Sequence, residues 1–190
     1  MLMSGHGALP TRAKLQLRRL QDWDVPNVLH PVLLDRDLVD LIARIADSNR
    51  LPARQIALLL AQTLRHFERR HGGHLTLPHE RIEAVFDFAR ERGYNLDIIP
   101  ALLEFAVDHP FQPFDRAIAD LHSVPMSDSE IMSLVSRLRA IYRRNRRTRS
   151  VHAERDWILS RLRPQVIGFV SLAYVRAMIE RDSPQRQIGE

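Results

Sequence analysis

Apolar residues recur along this chain at the three- and four-residue spacing of one face of an α-helix. In residues 35–48 they occupy positions i, i+3, i+4 and i+7, and similar faces occur in residues 51–72, 78–93 and 97–108. Prolines and glycines separate these segments, as expected where helices begin and end. Nowhere do β-branched residues alternate with polar ones for long enough to predict a sheet. The pattern therefore predicts an all-α protein.

Three further helices are predicted from weaker or more local signals. Residues 11–22 have a partial apolar face, and a short helix is expected after Pro113. Ser127 and Glu130 have the spacing of a capping box, in which each side chain hydrogen-bonds to the other residue's backbone N–H. They predict the start of a long helix that runs into an arginine-rich segment.

The break around residues 123–125 is the candidate domain boundary. With 190 residues, of which 45% are hydrophobic, the chain can bury a core as one domain or as two small ones. We expect a helical domain over residues 11–124 and a basic helical tail domain over residues 125–182. A disordered lead at residues 1–10 and a flexible C-terminus at residues 183–190 are expected to flank them.

The positive charge of the chain is concentrated in one segment. Residues 128–163 contain ten arginines against four acidic residues, a net charge of +6, whereas residues 1–127 sum to −1 and residues 164–190 to zero. Concentrated positive charge attracts polyanions, and a guanidinium group binds phosphate through two hydrogen bonds. The candidate nucleic-acid-binding residues are Arg137, Arg139, Arg143, Arg144, Arg146, Arg147, Arg149, Arg155, Arg161 and Arg163.

The same charge could arise without a nucleic-acid ligand. The chain has 27 arginines and one lysine, so the coding bias of a GC-rich genome can explain the residue type, although it does not explain the clustering. Cations at the end of a solvated helix are favoured by the helix dipole without any ligand. Attraction to a membrane surface fits less well, because only Tyr142 and Trp157 accompany the charge. We expect the cluster to lie outside the apolar helix faces.

The chain contains no recognisable catalytic or cofactor-binding motif. It has no glycine-rich phosphate loop, no G-x-S-x-G turn and no H-E-x-x-H pair. It also has no cysteine, which excludes disulfides and thiolate metal sites and fits a reducing cytosol. No apolar stretch approaches the about 20 residues that span a bilayer, and no signal-peptide pattern occurs. We expect a cytoplasmic protein without membrane contact, cofactor or catalytic residue, and enzymatic activity stays uncertain.

Two groups of polar residues are weaker candidates for a site. The first is a histidine-rich segment that straddles a helix end and a Gly-Gly turn, which disfavours a metal site. Its residues are His66, Glu68, His71, His74, His79 and Glu80. The second comprises Asp35, Asp37 and Asp40, which lie at helix starts where the dipole accounts for them. Trp157 and Tyr174 could stack on bases, but aromatic residues at helical spacing more often belong to the core.

The C-terminal part of the chain contains a pattern that a known family shares. After a helix predicted over residues 151–163, Gly168 ends one helix, Ser171 caps the next, and Val175 and Ile179 give that helix an apolar face. This pattern resembles the end of the tail domain of the B/E subunits of tRNA-dependent amidotransferases. The same tail is found in small stand-alone proteins of the YqeY type.

The resemblance implies a helical and tail region without the catalytic part of those subunits. Residues 33–121 match in position and class the helical domain that precedes the tail, so the resemblance covers residues 33–182. Two positions depart from it: Pro164 is expected to interrupt a helix that is regular in the family, and Phe169 stands where a basic residue is common. The cradle domain that holds the kinase and amide-transfer sites has no room in this chain. What the resemblance implies is contact between the tail and the outer corner of tRNA.

Two kinds of function fit these observations. The first is a non-catalytic RNA-binding module whose partner is tRNA or another structured RNA, acting with or without a protein partner subunit. The second is a helical adaptor for protein interaction, or a DNA-associated regulatory protein, whose apolar helix faces complete their burial against a partner. The oligomeric state of the protein and its dependence on the arginines discriminate between them.

Overall fold

The protein is all-α in the residues that the computed structural model describes, which are 11–72, 77–121, 123–144 and 152–182. This part of the chain contains no β-strand, as the sequence predicts. Its helices are α1 (Thr11–Asp22), α2 (His30–Asp35), α3 (Leu38–Asn49), α4 (Ala53–His71), α5 (His79–Glu91), α6 (Ile99–Asp108), α7 (Phe114–Leu121), α8 (Asp128–Arg144), α9 (Ala153–Val166) and α10 (Leu172–Arg181). Short 3₁₀ turns at Asn27–Leu29 and Leu96–Ile98 precede α2 and α6.

The predicted terminal segments, the lead at residues 1–10 and the flexible C-terminus at residues 183–190, lie outside the described residues. Within the described residues, no helix has both the length and the apolar character that a membrane crossing requires. The expected cytoplasmic location stays a prediction.

The chain forms two compact units, residues 1–87 and residues 88–190, and the division falls within α5. The boundary predicted at residues 124–125 lies inside the second unit. There the Val124 N–H donates to the carbonyl of Gln165 at 3.2 Å, and the Ser123 hydroxyl donates to the carbonyl of Ile167 at 2.7 Å. A separate domain starting at residue 125 stays a prediction.

Helix α3 is the central element of the first unit, since it contacts α1, α2 and α4. Its predicted apolar face is buried, with Leu41, Ile42 and Ile45 fully inaccessible to solvent. It begins three residues later than the predicted start at residue 35, because Asp37 has a left-handed backbone with φ of 53°. Helix α2 was not predicted from the sequence; it has only six residues, with Pro31 in its first turn.

Helices α8, α9 and α10 pack around a hydrophobic core of their own in the second unit. Its buried residues are Ile131, Val135, Ile158, Leu162, Val166, Val175, Met178 and Ile179. The predicted capping box starts α8: the Ser127 N–H donates to Glu130 Oε2 at 2.7 Å, and the Glu130 N–H donates to Ser127 Oγ at 3.4 Å. The Ser127 hydroxyl also donates to Glu130 Oε2 at 2.7 Å, and this bond, together with the one from the Ser127 N–H, holds the pKa of Glu130 below its usual value.

Pro164 does not interrupt α9, contrary to the sequence expectation. The helix continues through it and ends at Val166. Proline removes one N–H donor, so the helix loses the backbone bond to the carbonyl of Ser160. Val166 is fully buried and Ile167 is 4% exposed, so we attribute the continuity of the helix to packing of these residues.

The turn between α9 and α10 is tied to earlier segments of the second unit. Gly168 has a left-handed backbone with φ of 89°, and its carbonyl accepts from the Asn95 N–H at 2.8 Å. The Leu172 N–H, at the start of α10, donates to Asp97 Oδ2 at 2.8 Å. Ser171 caps this helix as predicted, because its hydroxyl accepts from the Tyr174 N–H at 3.5 Å.

Replacement of Gly168 by alanine should destabilise the protein more than the same change at Gly93. Both glycines have positive φ, but a Cβ at Gly168 would lie 2.6 Å from Cδ1 of the fully buried Ile98, whereas nothing lies within 4 Å at Gly93. We expect losses of about 2–3 kcal/mol for Gly168→Ala and about 1 kcal/mol for Gly93→Ala. Urea unfolding measures both. Equal losses would show that the contact with Ile98 contributes nothing.

Candidate nucleic-acid interface

The structure divides the ten predicted contact residues into groups with different surroundings. Arg146, Arg147 and Arg149 lie outside the described residues, and so does the side chain of Arg144. Six side chains are described: Arg137, Arg139 and Arg143 on α8, and Arg155, Arg161 and Arg163 on α9.

Arg139 is buried, with only 8% of the residue exposed. Its Nε donates to Glu154 Oε1 at 2.8 Å, and its Nη1 forms an ion pair with the carboxylate of Asp182. Two backbone carbonyls also accept from the guanidinium group, that of Asp182 at 3.3 Å and that of Ile179 at 3.4 Å. The side chain therefore joins α8 to α9 and to the end of α10.

The expectation that the arginine cluster lies outside the apolar faces is wrong for Arg139. This residue follows Val135 by four positions and Ile131 by eight, and both are fully buried. Residues at this spacing share one face of a helix. A buried guanidinium requires partners, and the carboxylates of Glu154 and Asp182 supply them.

Arg155 also forms ion pairs within the protein. Its side chain is 20% exposed and contacts the carboxylates of Asp156 and Glu180, each at 2.8 Å. Hydrogen bonds with Asp156 and Glu180 raise the pKa of Arg155 above its usual value. Arg155 therefore connects α9 to α10, whereas Arg139 connects α8 to both.

These ion pairs occupy most of the carboxylates near the other described candidate arginines. Arg139 and Arg155 together bind four carboxylates: Glu154, Asp156, Glu180 and Asp182. Arg143 is exposed and lies 3.9 Å from Glu154, at the edge of ion-pair distance. Of the six described candidates, three are exposed and form no ion pair with the described part of the chain: Arg137, Arg161 and Arg163.

The two acidic residues of α8, Asp128 and Glu130, accept hydrogen bonds from nearby hydroxyl and N–H groups. Glu130 accepts the capping hydrogen bonds from Ser127, and Asp128 Oδ2 accepts from the hydroxyl of Tyr174 at 2.7 Å. The bond with Asp128 raises the pKa of Tyr174. Among the described residues of α8, α9 and α10, every carboxylate thus has a partner.

Trp157 is covered by its neighbours rather than free to stack on a base. The Arg161 guanidinium lies 5.4 Å from the centre of the indole ring, and the ring of Tyr142 lies 5.6 Å away at an interplanar angle of 48°. The indole also packs against the core of α8, α9 and α10. Of the two aromatic candidates, Tyr174 is the more accessible, with 42% of the residue exposed.

Arg163 lines a groove between α9 and α10 together with Arg176, a residue absent from the ten predicted contacts. The groove has a volume of about 480 Å³. Its lining residues are Asp156, Leu159, Ser160, Arg163, Leu172, Ala173 and Arg176. Arg176 lies outside the basic segment of residues 128–163, so a count of charge along the chain does not detect it. Only the packing of α10 against α9 brings the two arginines to one groove.

Two carboxylates of the second weaker candidate group, Asp37 and Asp40, join α1 to α3, whereas Asp35 lies at the end of α2 and not at a helix start as expected. Asp37 accepts from Arg12 and Gln16 at 2.8 Å, and Arg19 donates to Asp40 at 2.6 Å. Burial raises the pKa of Asp40, but the hydrogen bonds from Arg12 and Gln16 and the charge of Arg19 outweigh it, so the pKa lies below its usual value.

The histidine-rich segment shows no metal site in its described part. His66 is exposed, and His79 Nε2 lies 3.2 Å from the carbonyl oxygen of Arg36. The described residues contain no group of three or more potential metal-ligating side chains. His74 and the side chain of His71 lie outside the described residues.

The described residues thus define an all-α protein with a basic three-helix group at α8, α9 and α10. Comparisons of the chain with protein families, with curated proteins and with solved structures each find no match. The resemblance to the amidotransferase tail therefore rests on the residues from Gly168 to Ile179 alone.

Arg139→Ala should destabilise the protein much more than Arg137→Ala, two positions away on the same helix. Removal of the buried guanidinium leaves Glu154 and Asp182 without their shared cation. Because Asp182 is 44% exposed, we expect a loss of about 2–3 kcal/mol, below the upper range for fully buried pairs. The exposed Arg137 should cost no more than about 0.5 kcal/mol. Chemical denaturation compares the two, and similar losses would disprove the role of Arg139.

Proposed function

We propose that the protein is a non-catalytic RNA-binding module of the cytoplasm whose ligand is tRNA or another structured RNA. The observation that carries this proposal is the unequal distribution of ion pairs in α8, α9 and α10. Two arginines bind four carboxylates, so the exposed arginines of the same helices are left with uncompensated charge. Such charge favours a polyanion, and its neutralisation releases counterions from the nucleic acid.

The positions of the exposed arginines support recognition of a backbone rather than of single bases. Arg161 and Arg163 are two residues apart, which places them about 200° apart around α9. Arg137 and Arg143 are six residues apart and lie about 120° apart around α8. Cations on several sides of a helical group suit phosphates presented by a folded RNA, whose A-form helices offer phosphates and 2′-hydroxyls rather than major-groove edges.

Within this proposal, the chain corresponds to the helical and tail region of an amidotransferase B/E subunit. The turn at Gly168 and the cap at Ser171, from which the resemblance starts, are both present in the structure. Val175 and Ile179 give α10 its buried face. In this role the chain contacts tRNA without catalysis, and any amide-transfer chemistry belongs to a partner subunit.

Substitution of the exposed arginines should weaken tRNA binding and flatten its dependence on salt. For the wild-type protein, neutralising five or six phosphates predicts a slope of about −4 to −5 in log K against log salt concentration. The variant Arg137→Gln/Arg143→Gln/Arg161→Gln/Arg163→Gln should lower the magnitude of the slope by about 3 to 4. Fluorescence anisotropy with labelled tRNA measures both quantities.

A variant with the same change of charge elsewhere is the control. Lys14→Gln/Arg18→Gln/Arg50→Gln/Arg116→Gln removes four exposed cations outside the basic segment, none with an ion pair in the described structure. It should retain most of the binding and the slope. If the two variants lost the same tRNA affinity and the same salt slope, binding would depend on net charge alone, and a specific binding surface would be contradicted. Preference for duplex DNA of matched length over tRNA would contradict the proposed ligand.

A further inference from the structure

Phe111 is the most exposed large apolar residue described in the chain, with 97% of the residue accessible to solvent. It lies in the connection between α6 and α7. Pro110 and Pro113 fix the backbone on either side of it. The Gln112 N–H donates to the carbonyl of His109 at 3.1 Å, and the His109 ring lies 4.8 Å from that of Phe105. The connection thus exposes an aromatic ring to solvent, and its backbone is constrained by the two prolines.

The surroundings of Phe111 are acidic. Residues 104–120 contain four acidic residues and one arginine, a net charge of −3. One of the acids, Asp115, is paired with Arg92 at 2.6 Å. Asp108, three residues before Phe111, is exposed and has no partner among the described residues. The connection therefore presents an apolar ring beside an uncompensated carboxylate.

The groove between α9 and α10 has the complementary character. Its apolar lining comes from Leu159, Leu172 and Ala173, and its cations are Arg163 and Arg176. The one carboxylate in its lining, Asp156, is already bound by Arg155 at 2.8 Å. At about 480 Å³ the groove falls in the size range of small-molecule pockets, so it has room for an aromatic ring.

We propose that these two surfaces bind each other between two copies of the chain. The Phe111 ring of one copy enters the α9–α10 groove of the other, and Asp108 pairs with Arg176 at its edge. Aromatic residues seated in a pocket and surrounded by complementary charge are typical anchors of protein interfaces. Because every copy carries both surfaces, each contact is a contact with a second copy, whether the pair closes reciprocally or extends head to tail.

The proposal is tested by sedimentation equilibrium of nuclease-treated protein over the micromolar range. The wild-type mass should rise with concentration. Phe111→Ser should lower the association constant by about tenfold or more, as loss of an anchor residue does. Val28→Ser, which changes another apolar residue that is 67% exposed, should leave it unchanged. Neither change should alter the thermal midpoint of circular dichroism at low concentration by much, because both residues are largely exposed.

Exchange of the two charges supplies the decisive comparison. Asp108→Arg and Arg176→Glu should each weaken association, since each creates a like-charge pair, and the double variant should recover most of it. A wild-type protein that stays monomeric overturns the proposal. Equal effects of Phe111→Ser and Val28→Ser, or a double variant weaker than both single ones, also overturn it. Phe111→Ser and Val28→Ser change no arginine of the basic surface, so their tRNA affinity, measured at protein concentrations where the wild type is monomeric, reports on the other proposal separately.

Discussion

The buried guanidinium of Arg139 is the interaction on which the three-helix group α8–α10 depends. An unpaired cation at this position would oppose packing, because the free energy required to desolvate a charge is much larger than the stabilisation from a single apolar contact. Glu154 and Asp182 offset that cost only when α9 and the end of α10 lie against α8. The ion pairs are therefore satisfied only in arrangements that bring all three helices together at Arg139.

These ion pairs change which arginines of the basic segment are available to bind a ligand. Along the chain, residues 128–163 carry a net charge of +6. In the structure, Arg139 and Arg155 lie among four carboxylates, so that cluster is locally negative. Outside that cluster the segment keeps eight arginines against Asp128 and Glu130, so the same net charge of +6 comes from fewer arginines. Because Arg139 and Arg155 are occupied by carboxylates, the exposed Arg137, Arg161 and Arg163 are better candidates for phosphate contact.

Most helices could be predicted from the sequence because each has an apolar face with helical spacing and a clear start or stop residue. Helix α2 could not, since six residues are too few to show a period. The passage of α9 through Pro164 depends on burial of Val166, which is a tertiary effect. The candidate site was also only partly predictable. The density of positive charge can be counted in the sequence, but the burial of Arg139 and the position of Arg176 beside Arg163 depend on how α8, α9 and α10 pack.

Arg163 belongs to both proposed surfaces, and this links them. It is a candidate phosphate contact and also lines the groove proposed to receive Phe111 of a second copy. A guanidinium fork that binds a phosphate is not available to line an interface, so RNA bound at this residue and a second copy bound in the groove oppose each other. Thermodynamic linkage makes the opposition reciprocal: the factor by which RNA weakens self-association equals the factor by which self-association weakens RNA binding. Arg137 and Arg143, on α8, lie outside the groove lining, so the coupling is confined to part of the basic surface.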